Sequence, residues 1–491
     1  MGKVLDYLKK DRGGTNFNKI FSKIPESFYE NAGFVIVILM MASLIAEEIL
    51  NVFFRKEIYI RLYYVFGTIG ILFSILYIIS RFVNQHKEIE RSKYEKKKKV
   101  KKSVDKKTGK VKVQESENET EIPKMRDVFQ GHKWDIALGL MLLWSCISAM
   151  LSENRSYALT GAPFRHDGLD SYFIYAGMYV CAKAVKSEKK RIWMLRAMMI
   201  TISLLSLVTV LQENDALIEE WGNVGDNIAT FCSYAASVYL NTNHFGYMLT
   251  IGLMAMAGLT FIEKKIVAKV VALVLFAFNL WSLIVNNTFG AYLGVLFGIV
   301  FLSIIMLVRN KKYYKDVIVV ILVFVSVSLV MDRNNGIVTD NFSTTYKDSQ
   351  NISTNNGGGS GRIGLWKETI ECIEERPVFG FGPEGLHDRL LDAGFGNDRP
   401  HNEYLQHAAF LGIPGLLFYL TALISLLIFC IKNIKKIPLI FIVVGGIVFG
   451  YCVSAFFGNT LYYTTPYYFM FLGLISSCNE INEKESIEEK E

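Results

Sequence analysis

Cysteine is sparse and unpatterned in this chain. Its 491 residues hold seven, none in a CxxC or CxxH spacing, so the common zinc and thiol-redox frameworks are missing. Five of them (Cys146, Cys181, Cys430, Cys452, Cys478) fall in apolar runs, where cysteine serves as a small hydrophobe. There is no HExxH, and His166, His244 and His401 have no metal-ligand spacing, so no metal and no cofactor is expected. There is also no Walker A loop, no dinucleotide fingerprint and no Asp-x-Asp pair, which disfavours a nucleotide-using enzyme of the cytoplasm. Strand-like alternation is absent, which excludes a membrane β-barrel. The start, MGKVLDYLKKDRGG, lacks an apolar core and a small-residue cleavage site, so no removable signal peptide is expected.

What the chain does have is apolar residues, 51% of the total, gathered in runs of about 17–24 residues. In a bilayer such runs must be helices, since only a helix satisfies its own backbone there. The expected fold is an all-α polytopic membrane protein of about 12 transmembrane helices, with a large extracytoplasmic loop containing short helices. The spans fall at 33–53, 60–82, 134–151, 170–185, 191–211, 243–262, 266–285, 289–308, 316–331, 404–431, 437–457 and 461–477. This divides the chain into a basic amphipathic N-terminus (1–30), two first helices (31–83) and a basic linker (84–131) read as disordered. Helices three to nine (132–331), the large loop (332–403), helices ten to twelve (404–477) and an acidic tail (478–491) follow.

The net charge of +7 matters less than where it sits. With the N-terminus inside, the linker and the loops KSEKKR, EKK, RNKKYYK and KNIKK all fall on the cytoplasmic side, without exception. The linker charge suits anionic lipid rather than nucleic acid, for which no fold signature accompanies it. The loops on the other side carry arginine instead: Arg155 and Arg165 early, then Arg333, Arg362, Arg376, Arg389 and Arg399. Arginine is the better residue for paired contacts to phosphate.

The stretch from Gly357 to Gly415 concentrates the candidate chemistry. A helix starting at Arg362, capped by Ser360 and ending at Pro377, would place Arg362, Trp366, Thr369, Ile370 and Ile373 on one face. GFGPEG, with Gly380 and Gly382, reads as a turn able to offer amides to an anion. His401, in RPHNEYL, has the proton affinity for general-base work, with Arg399 and Asn402 beside it to orient base or substrate.

These residues resemble the O-antigen ligase and polymerase-like superfamily of bacterial membrane proteins, the Wzy and WaaL type. The shared pattern is Gly361-Arg362 with Trp366, Arg376-Pro377, Gly380-x-Gly382, and Pro400-His401-Asn402 followed by Gly412 and Gly415. GAPFRHDGL (161–169) and LNTNHFGYML (240–249) resemble earlier family segments. One departure stands out: Phe289 occupies the place of the arginine in the family's Ser-Arg-Gly-Ala motif. The resemblance implies a metal-independent, inverting glycosyltransferase in the bacterial cytoplasmic membrane, its site extracytoplasmic and both termini cytoplasmic. Its donor would be a glycan on undecaprenyl pyrophosphate and its acceptor a glycan, lipid or wall polymer. His401 and Arg362 would be catalytic; Arg165, Arg399, Asn402, Trp366, Gly380 and Gly382 would bind substrate. Ligase and polymerase both stay open. So does a transporter or flippase of envelope precursors, which the lack of an internal repeat and of mid-span charges disfavours, and so does a non-catalytic scaffold.

Overall fold

In a computed structural model the structure describes residues 24–54, 59–100, 132–162, 165–213, 235–237, 239, 241–350, 361–392, 394 and 398–478. Among them there is no strand. The expectations for the amphipathic N-terminus up to residue 23, for Ser360 and for the acidic tail lie outside the described residues.

Sixteen α-helices are described: α1 (Glu26–Phe54), α2 (Tyr59–Val100), α3 (Lys133–Leu151), α4 (Arg155–Thr160), α5 (Leu169–Lys183), α6 (Glu188–Glu213), α7 (Thr242–Ile262), α8 (Ile266–Asn286), α9 (Phe289–Arg309), α10 (Tyr314–Asn335), α11 (Ile337–Gln350), α12 (Arg362–Glu375), α13 (His387–Asp392), α14 (Glu403–Lys432), α15 (Leu439–Ala455) and α16 (Thr465–Ser476). Nine are long and apolar enough to cross a membrane: α1, α2, α3, α6, α7, α8, α9, α10 and α14. The remaining three of the twelve expected spans are helical but short, with 15 residues in α5, 17 in α15 and 12 in α16. At 1.5 Å per residue, α16 covers only about 18 Å. α2 runs on to Val100, into the stretch read as a disordered linker. That segment, KEIERSKYEKKKK, is made of strong helix formers.

α7 is the centre of the bundle: every residue from His244 to Phe261 is buried, as expected of a helix apolar on all sides. The two ends of the bundle differ in charge. At one end Lys183 pairs with Asp135, Arg191 reaches the carbonyl of Ser477, Arg309 reaches those of Ile434 and Ile437, and Lys269 pairs with Asp316. At the other end lie α4, α12, α13 and the loops carrying Arg165, Arg399 and His401. Between α10 and α14 the described residues form α11, α12 and α13, of which α12 packs on α14.

Candidate functional site

The site is built on a broken helix. α14 loses helical geometry at Gly412 (φ 73°, ψ 174°) and carries Pro414 two residues later. Proline has no N–H to give Phe410, four residues back, so carbonyls at the break need other donors. The GFG turn supplies them: Phe381 N–H donates to Ala409 O at 2.9 Å and Gly382 N–H to Phe410 O at 2.8 Å. Ile413 N–H returns a bond to Pro377 O at 2.8 Å, and Ser148 Oγ and Trp144 Nε1 donate to Phe410 O and Leu411 O. A Cβ at Gly380 would come within 2.5 Å of Phe410 O, so only glycine, here at φ 65°, allows this approach. The anion cradle expected at Gly380 and Gly382 is therefore not formed. The amides of Gly380, Phe381 and Gly382 are all spent on backbone carbonyls, and the glycines serve the docking of the turn onto α14.

Arg399 departs from expectation in the same way. Its side chain is 1% exposed and lies between Glu384 and Asp167, the latter at 3.3 Å, while it also donates to Thr460 O. Asp167 accepts from Tyr175 Oη and, at 2.6 Å, from Thr460 Oγ1, and Gln406 clasps Thr460 through both its side-chain and backbone atoms. Burial raises the Glu384 carboxyl to about 7 despite Arg399 against it, and burial likewise raises Asp167. Four loops, near 167, 384, 399 and 460, are tied together by this hub; of the guanidinium nitrogens only Nε lacks a partner, and it is buried. Arg399→Ala leaves two buried carboxyls without their cation, which costs about 3–5 kcal/mol. The expected result is loss of folded protein from detergent extracts, read by fluorescence-detected gel filtration.

Asn402 is likewise structural. It is 3% exposed, and its Oδ1 caps α14 by accepting from Tyr404 N–H at 3.0 Å and Leu405 N–H at 3.1 Å. Trp366 donates to Pro400 O at 2.8 Å and meets Phe456 edge-on, which fixes α12 over the start of α14. The residue capping α12 is Gly361 (φ 82°), with no side-chain cap. The buried face of α12 is Leu365, Thr369 and Cys372; Ile370 points outward, 45% exposed.

The groups that remain available converge on His401. Arg165 reaches the same region and holds Asp398 through two bonds, Nε at 2.6 Å and Nη2 at 2.5 Å. Burial would raise Asp398, but Arg399 and Arg165 outweigh it and hold the carboxyl below its usual range. Arg165 is thus already matched by an anion. Arg362, the first residue of α12, is half-buried, and no hydrogen bond or ion pair joins it to another described residue. His401 (φ 51°) lies within reach of its field. Burial first, then the charges of Arg362 and Arg165, push the His401 ring down to about 4. The ring is therefore neutral at pH 7 and free to accept a proton.

Asn459, in the link between α15 and α16, faces His401 Nδ1 at 3.3 Å, and its Oδ1 has no partner. Nothing in the sequence near residue 459 marks it, since the contact spans 58 positions. His244, at the first turn of α7, is also buried with Nδ1 unpartnered and its ring tilted against Tyr463. Among the described residues, no group of three His, Cys, Asp or Glu side chains is placed to hold a metal ion. Phe289 packs edge-on against Phe342 of α11, with ring centroids 4.9 Å apart.

An apolar cavity of about 270 Å³ runs along α14 and α15, from Tyr404 and Cys452 near this site toward Cys430 and Ile431. Tyr404 and Trp366 both border Phe456, so one aromatic group joins the cavity to the site.

Fold and site together define a polytopic helical membrane protein whose loops close over a neutral histidine and an unpaired arginine. Residues 271–420 match the family model described as O-Antigen ligase. Over that stretch the chain is similar to the O-antigen ligase family, of the Wzy type, which supports the resemblance read from the sequence. It takes in α9 to α13 and the first part of α14, with Arg362, Trp366, Gly380, Gly382, Arg399, His401 and Asn402, but not Arg165 or Asn459. No curated protein matches the chain.

Proposed function

We propose that this protein is a membrane glycosyltransferase that transfers or polymerises a glycan carried on undecaprenyl pyrophosphate, at the outer face of the cytoplasmic membrane. The observation that carries this reading is the neutral His401 beside the unpaired Arg362. The lysine-rich end of the bundle faces the cytoplasm on this reading, by the bias of positive charge. His401 takes the proton of an acceptor hydroxyl as its oxygen bonds to the anomeric carbon. The bond from that carbon to the pyrophosphate breaks on the opposite side, and the leaving group departs with the electron pair. Arg362 stabilises the charge that develops on it. Attack from one side and departure from the other inverts the anomeric centre. The lipid chain of the donor lies along α14 and α15, entering the cavity that ends at Tyr404. Trp366 offers an indole face to a sugar ring.

Asn459 positions the base on this reading. In the structure its Nδ2 faces Nδ1 at 3.3 Å; with the amide turned over, its Oδ1 accepts from Nδ1–H and the free lone pair of His401 is on Nε2, which is the base. Asn459→Ala releases the ring and lowers the turnover rate about tenfold, while KM for the donor stays within twofold. Unchanged turnover in a purified, reconstituted assay would remove Asn459 from the site. The reading as a whole is tested in a deletion strain. Single repeats accumulating on the carrier identify a polymerase, and long chains retained on the carrier identify a ligase. If neither pool changes, the proposal fails.

A further inference from the structure

A cavity of about 780 Å³ is bounded by α2, α3 and α5, with His407, Thr460, Thr465 and Phe469 also in its wall. α2 and α3 each pack on α5 but barely on one another, which leaves a slot between them open to the side. Ile75, Ile78, Leu140, Leu143 and Phe173 line it, and each is more than a third exposed. A Cβ on Gly139, in the wall of the slot, would meet no atom within 4 Å. A groove of this kind suits a hydrocarbon chain. It does not suit a peptide, whose backbone groups would go unpaired there.

The end of the groove at the lysine-rich side is edged by Arg81, Asp135 and Lys183. The charges there do not cancel. Arg81 pairs with Glu26 at 2.9 Å, Lys183 with Asp135 at 2.8 Å, and Lys190 with Glu30 at 3.1 Å. Lys186, in the short link between α5 and α6, is half-buried, and no hydrogen bond or ion pair joins it to another described residue. Burial first, then Arg81, Arg191 and Lys183, lower its ammonium to about 8. Glu26, already paired with Arg81, is the one carboxylate that acts on it, so cations outnumber anions around this half-buried ammonium.

We infer that this groove is a binding site for one anionic phospholipid, with an acyl chain between α2 and α3 and the phosphate on Lys186, flanked by Arg81 and Lys183. The phosphate supplies the absent counter-charge and the chain covers the exposed apolar wall. A zwitterionic lipid would fill the slot but bring no net charge, and a free phosphate would bring charge without a chain. The site is separate from the proposed donor cavity along α14 and α15, and it does not depend on the assignment of His401. Its role is to bind α1 and α2 to the body of the bundle.

The test uses the full-length protein in nanodiscs of equimolar phosphatidylglycerol and phosphatidylcholine, with retained lipid counted by native mass spectrometry. One phosphatidylglycerol per chain is expected to survive delipidation. Lys186→Gln lowers its retention about fivefold, Lys186→Arg keeps it, and Gly139→Phe, which fills the slot, displaces it. Each variant is first shown to elute as the wild type on gel filtration, and the Arg variant supplies a second reading where the Gln variant does not fold. Equal retention of the two lipids by the wild type overturns the inference, as does wild-type retention by both the Gln and Phe variants. Displacement by soluble glycerol phosphate as effective as by phosphatidylglycerol overturns the lipid assignment in favour of a bare anion site.

Discussion

Replacing His401 lowers glycan transfer about 100- to 10,000-fold, the usual worth of a general base, and leaves the amount of folded protein unchanged. The choice of variant matters. His401 sits at φ 51°, a left-handed conformation that asparagine adopts more easily than most residues. His401→Asn therefore keeps the backbone and removes the base, while His401→Ala adds a modest backbone cost to the same chemical loss. The pH profile gives a second signature. Only the neutral ring can take a proton, and burial with Arg362 and Arg165 holds its pKa at about 4. Activity is then fully present at neutral pH and is lost only as the pH falls through about 4. An ordinary histidine would fade through about 6.5. Initial rates of the reconstituted enzyme between pH 4 and 8 decide this. An acid limb at 6.5 would mean that His401 is solvated, and wild-type rates in His401→Asn would remove it from the mechanism.

The helices were legible because the bilayer leaves so little choice. α3, α7, α8 and α9 begin and end within two residues of the spans read from hydropathy, since each is a single apolar run between charged or polar residues. His401 and Arg362 stand out by residue type and by the family pattern around them, and the fold brings them near each other. The failures share a cause. Arg399, Asn402, Gly380 and Gly382 have the right chemistry for a phosphate site, but their partners are distant in sequence. Asp167 lies 232 positions from Arg399, and the amides of Phe381 and Gly382 end on carbonyls at the helix break, Ala409 and Phe410. A charge or an amide read locally looks available until the fold shows what consumes it. Asn459 is the converse case, a residue with no local signal that meets His401 only when the link between α15 and α16 folds against the start of α14. The short helices α5 and α16 show a further limit, because hydropathy locates a run but loops with buried polar networks shorten the helix within it.

Arg362→Ala is expected to lower transfer about 100- to 1,000-fold, the range seen when one donor to a developing oxyanion is removed. It should also do something that loss of a packing residue would not. Of the charges that lower the His401 ring, Arg362 is the strongest. Without it the ring becomes more basic, and the acid limb of the pH profile moves upward from about 4. Arg362→Lys keeps a charge but loses the planar fork, so it should retain most of the low limb while recovering only part of the rate. Rate and limb thus separate the two functions proposed for the guanidinium, its geometry toward the leaving group and its charge toward the base. Arg399 offers the control within the same protein, since it is equally cationic and close by, but its charge is committed to Asp167 and Glu384. Loss of Arg399 should cost folded protein, whereas loss of Arg362 should cost rate. If Arg362→Ala transfers glycan at the wild-type rate with an unmoved limb, the residue only edges the packed face of α12, and the pyrophosphate must find its counter-charge elsewhere.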